Sequence, residues 1–106
     1  MAIIKQVVLD VAGLRINRKT RIIEVRLRKQ EVDGTRLVGF DYHRFTVEPG
    51  QALSNQIAMV NDHLVGQGWP AIETASVAQL QIIVATEHNV MVIAAYEAFK
   101  LAHRHP

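Results

Sequence analysis

Between Ile23 and Arg28 apolar and charged residues alternate one for one: Ile23, Val25 and Leu27 are interleaved with Glu24, Arg26 and Arg28. Successive side chains of an extended chain point to opposite faces, so this run predicts a strand over Arg21 to Glu31 with one face buried and one in water. Asp33-Gly34 follows, two residues that tolerate positive φ, as a tight hairpin turn requires. Pairing Val32 with Thr35 across that turn gives a register in which partners sum to 67. Leu27 then faces Phe40 and Val25 faces Tyr42 on the apolar side. On the polar side Arg26 faces Asp41 and Glu24 faces His43, and Glu31 meets Arg36 near the turn. The register would send Phe45 to the polar face, so a bulge near His43-Arg44 is expected to return Phe45 and Val47 to the core.

An earlier strand is expected over Ile3 to Ile16, where Val7, Leu9 and Val11 alternate with other residues and Gly13 marks an irregularity. It joins the central strand through a loop around Asn17-Arg18-Lys19-Thr20. The hydrophobic period changes near Pro49-Gly50. Leu53, Ile57, Val60 and Leu64 form a helical stripe that ends at Gly66 and Gly68, with Trp69 as a core anchor under the following loop. Ser76 with Gln79 resembles a capping box, which places a helix over Val77 to Glu87. Asn89 is read as the cap of a last helix, Val90 to His103. The rival for residues 82–93 is a second hairpin, favoured by β-branched density. Alanine-rich flanks and the caps favour helices. Together these elements predict one α+β domain over residues 1–106. An N-terminal three-stranded antiparallel meander within 3–47 is followed by two or three helices within 51–104, packed on one sheet face.

The last helix has a narrow polar stripe of Glu97, Lys100 and Arg104. Val90, Met91, Ile93, Tyr96, Phe99 and Leu101 cover most of the rest. A helix apolar nearly all round is buried on more than one side, and a three-stranded sheet covers one. These six residues are therefore the expected oligomer interface.

Composition narrows the classes. A chain of 106 residues, 49% hydrophobic and 21% charged, suits one ordinary core. No apolar run reaches the 18 residues of a membrane span, and the first residues lack the pattern of a secretory signal. The absence of cysteine excludes disulfides, thiol catalysis and thiolate metal sites. The cytoplasm is the default compartment. The net charge of +2 conceals a split. From Arg15 to Arg36 there are eight basic and three acidic residues, while the remainder carries four basic and seven acidic. Arg15, Arg18, Lys19, Arg21, Arg26 and Arg28 thus form a candidate surface for nucleic acid or another partner. Glu24, Glu31 and Asp41 interrupt it, and the register leaves no aromatic residue on its face to stack bases.

Candidate chemistry is sparse. Asp41 and His43 share a strand face and could supply half of a metal site, but the pattern offers no further ligands. His43 or His63 could serve an enzyme only if a cleft held them. Neither Ser54 nor Ser76 lies in a nucleophile motif, and no phosphate-binding glycine loop is present. No catalytic residue, cofactor or metal is expected. The chain's general character resembles that of small phage or prophage virion-associated proteins, a resemblance that no motif carries. The expectation is a small non-enzymatic interaction or assembly module, self-associating through the C-terminal helix, with a larger assembly such as a phage or prophage virion as one setting for it. The alternative is nucleic-acid binding by the basic hairpin.

Overall fold

A computed structural model describes residues 3–103. They form an antiparallel sheet of four strands followed by three helices, an α+β arrangement. The alternating run becomes the central strand, β3 (Ile23–Asp33). Strands β1 (Ile3–Leu9) and β2 (Arg15–Ile16) lie along one edge of it and β4 (Arg36–Val47) along the other. The expected first strand is therefore real but broken. Five residues, 10–14, stand opposite only Val25 and Arg26, and the excess is taken up in a 3-10 turn at Val11–Gly13. Gly13 is needed there: a Cβ at this position would sit 2.1 Å from Arg26 Nε and 2.8 Å from Arg26 Cβ.

The hairpin register differs from the one read from the sequence. The turn residues are Gly34 and Thr35, with Asp33 opposite Arg36. Gly34 has φ +61° and Thr35 is not in the positive-φ region, the pattern of a turn with glycine first. One extra residue, Val38, then sits between the Val32–Leu37 and Glu31–Gly39 pairs. The bulge thus lies next to the turn and not at His43-Arg44. Beyond it partners sum to 70, so Leu27 faces His43, Val25 faces Phe45 and Ile23 faces Val47. The expected return of Phe45 and Val47 to the core face is achieved, but every residue from Gly39 to Arg44 is on the face opposite to the one expected. The pairs Arg26–Asp41, Glu24–His43 and Glu31–Arg36 do not form. Glu31–Arg36 is lost because the turn moves by one residue and Asp33 takes Arg36, and the other two because an odd insertion, Val38, inverts the strand beyond it. It falls beside Gly39, where the strand projects past the helices and the irregularity disturbs no core contact.

Helices α1 (Leu53–Gly66), α2 (Thr74–Glu87) and α3 (Val90–Ala102) follow. The helical reading of 82–93 therefore holds against the hairpin. Val7, Leu9, Ile23, Val25, Leu27 and Val47 from one sheet face meet Ile57, Val60 and Leu64 of α1, Ile72, and Leu80 of α2, with Trp69 packed at the margin. Asn89 caps α3 as expected, its Oδ1 accepting from Val92 N–H at 2.9 Å. Ser76 is not a cap. Helix α2 begins two residues earlier, and the buried Ser76 hydroxyl accepts from Leu9 N–H at 2.9 Å, while Glu73 N–H donates to the Val7 carbonyl at 2.9 Å. The donors left at the end of β1 recruit this serine, a tertiary demand invisible in local spacing. Arg104 of the polar stripe lies outside the described residues. Among the described residues no single helix is long and apolar enough to cross a membrane.

Candidate functional site

The revised register rebuilds the sheet face that turns away from the helices. Reading across β1, β3 and β4, its rows are Ile4–Val32–Leu37, Gln6–Gln30–Phe40 and Val8–Arg28–Tyr42. Arg26–Arg44 follows, with Asp10 beside it, and then Arg15–Glu24–Thr46. None of these side chains belongs to the hydrophobic core. Tyr42 and Phe40, expected on the apolar side, stand among the arginines instead. Their rings meet edge to face at 5.4 Å. The Arg26 guanidinium lies 4.3 Å from the Tyr42 ring centre and that of Arg44 lies 5.9 Å away, within the range of cation–π attraction.

The partners of these charges also change. Arg26 is held by Asp10, whose Oδ2 accepts from both Nε and Nη2 at 2.7 Å. Arg15, Arg28 and Arg44 make no ion pair among the described residues. The Nε of Arg28 is buried without a hydrogen-bond partner. An open cleft of about 330 Å³ lies between the 3-10 turn and β4, lined by Gly13, Arg15, Glu24, Arg26, Arg44 and Thr46. It brings two of the six expected basic residues, Arg15 and Arg26, together with Arg44, which the sequence reading passed over.

Arg18, Lys19 and Arg21 form a separate group at the loop after β2. There the Asn17 side chain accepts from the N–H groups of Lys19 and Thr20 at 2.9 Å. Arg21 is engaged structurally. Its φ is +63°, its side chain pairs with Glu87 at 3.6 Å, and its carbonyl accepts from Nε2 of the buried His88 at 2.7 Å. This loop therefore clamps the elbow between α2 and α3.

Asp41 and His43 turn toward the helices. His43 meets His63 of α1 at 5.4 Å between ring centres, and burial, His63 and Lys29 together hold its imidazole below the ordinary value of 6.5. Among the described residues no group of three potential ligands is placed to hold a metal ion. Neither histidine lines the cleft beside Arg15 and Arg44, the one between α3 and the Lys19–Arg21 loop, or the one at Arg15 to Asn17. On the same side Lys5 and Lys29 lie over the Trp69 ring at 5.1 and 5.7 Å, which fits the anchoring role expected of the tryptophan.

The expected interface residues are divided by the structure. Tyr96 is buried within the molecule, its hydroxyl donating to Glu48, and this bond with burial raises its pKa to about 12. Ile93 and Phe99 are half-buried, while Val90, Met91 and Leu101 are exposed. Ile82 of α2 adds to this uncovered apolar surface. No family model, no curated protein and no solved structure matches the chain.

Tyr42, Phe40 and Arg44 are the surface residues that sequence reasoning missed. The available signal was Gly39, a lone glycine inside a strand, which is a common mark of a bulge.

Proposed function

We propose that this protein is a small non-enzymatic assembly module that self-associates through the apolar surface of α3. The observation that carries the reading is the mismatch between the composition and the burial of this helix. Of its thirteen residues only Tyr96 is buried, while Val90, Met91 and Leu101 are 82%, 83% and 67% exposed. Each such side chain gains roughly 1.5–3 kcal/mol when removed from water, so a partner surface here has a substantial driving force. A second copy of the chain supplies such a surface, and closed symmetric pairs are the commonest way to cover one. The alanines beside the large residues, Ala94, Ala95, Ala98 and Ala102, add no polar group that would oppose close approach.

Light scattering on the full chain tests this. The expected result is a mass that is a multiple of 11.9 kDa. Met91→Glu with Leu101→Glu is expected to reduce it to the monomer without loss of helical content, because both side chains are exposed. A monomeric parent protein, or a double variant with unchanged mass, rejects the proposal.

A further inference from the structure

We propose that the uncovered face of the sheet binds single-stranded nucleic acid. The juxtaposition that carries this is Phe40 and Tyr42 set in the same face as Arg15, Arg26, Arg28 and Arg44. It does not depend on the assembly reading, since α3 contributes no residue to this surface.

The charge argument comes first. Four arginines share the face with two carboxylates, Asp10 and Glu24, and Asp10 is committed to Arg26. Arg15, Arg28 and Arg44 make no ion pair among the described residues. A guanidinium is a planar fork of donors whose geometry matches phosphate oxygens. A phosphate chain crossing β3 and β4 meets Arg28 and Arg44 in neighbouring rows, and its oxygens supply acceptors to two guanidinium groups that no carboxylate among the described residues holds.

The aromatic rings decide the kind of nucleic acid. Phe40 is 53% exposed, a large apolar ring in a charged surface with no core contact. Arg26 over Tyr42 adds a flat cationic plate, and bases stack on guanidinium planes as well as on aromatic rings. The faces of bases are hidden in a duplex and available in a single strand, so rings of this kind select unpaired bases. Along β4, Phe40, Tyr42 and Arg44 span roughly 13 Å at the usual rise per strand residue, enough for a short run of nucleotides. Gln6 and Gln30, joined side chain to side chain at 2.9 Å beside Phe40, provide amide groups for base edges. The loop cations Arg18 and Lys19 lie outside these rows and are not part of the surface.

Fluorescence anisotropy on the full chain, with labelled oligothymidine and oligouridine and a duplex control, tests the proposal across a salt series. The expected result is binding to one or both single strands that weakens with salt and exceeds binding to the duplex. The ratio of the two affinities then separates DNA from RNA as the source. Phe40→Ala and Tyr42→Ala each lower affinity about tenfold, in the range of one lost stacking contact. Arg28→Gln and Arg44→Gln each reduce the salt slope by about one. Arg18→Gln with Lys19→Gln leaves the affinity within about twofold, since these residues touch no phosphate on the proposed path. Circular dichroism checks the fold of each variant, and the exposed Arg44 gives an informative substitution even if Tyr42→Ala unfolds. No binding at low salt overturns the proposal. So does equal binding of the duplex, or full affinity in both Phe40→Ala and Tyr42→Ala, which would mark the face as a generic polyanion site.

Discussion

Val38 is the unpaired residue of the hairpin, and its insertion determines which way the five side chains from Phe40 to Arg44 point. Asp41 and His43 go toward the helices, while Phe40, Tyr42 and Arg44 go to the open face. His43 carries a measurable consequence. Burial first, then His63 and Lys29, keep its imidazole below 6.5 in the folded chain. The unfolded chain therefore binds more protons as the pH falls through that value, so stability rises with pH across this window and declines as the pH drops below it. Urea denaturation at a series of pH values should show the slope, and His43→Gln should flatten it. An equal slope in the variant would assign the effect to other groups.

At the scale of elements, the joint between β1 and α2 is made by two backbone donors. Leu9 N–H gives to the Ser76 hydroxyl, and Glu73 N–H gives to the Val7 carbonyl. Both residues of β1 are buried, so Leu9 N–H has no water to replace the hydroxyl. Ser76→Ala should cost about 1–3 kcal/mol, the penalty of a buried donor without a partner. Ser54→Ala, on the exposed first turn of α1, should stay within about 0.5 kcal/mol. Equilibrium denaturation of the two variants compares them directly, and equal stabilities would show that the joint is not limiting. The elements themselves were largely legible: the alternation of β3, the stripe of α1 and the Asn89 cap of α3 each follow from local chemistry. The role of Ser76 was not, because its hydroxyl answers a strand 67 residues away. Spacing from Gln79 could only suggest a cap.

The whole molecule is elongated, 57 × 26 × 18 Å, with a radius of gyration of 16.0 Å. A compact chain of this length has about 13 Å. The hairpin end carrying Ile3, Ile4, Leu37, Val38 and Phe40 exposes apolar side chains beyond the helices, and α3 exposes others near the opposite end of the sheet. Small-angle scattering of the monomeric Met91→Glu, Leu101→Glu variant should give a radius well above that of a compact chain. A value near 13 Å would mean that the hairpin or α3 folds back over the body. The sequence by itself determined the α+β class, the strand–turn–strand order, a helical part after the sheet and the excess of positive charge near the hairpin. Each of these depends on periodicity, turn residues or composition, which act within a few residues. The tertiary structure alone decided the register past Val38, because a single inserted residue inverts a strand and only the fit of Phe45 and Val47 into the core fixes where the insertion goes. That decision separated the hairpin's expected charge pairs and brought aromatic rings to its arginines. The same basic strand thereby changed from a self-neutralised surface into a candidate platform for bases and phosphates.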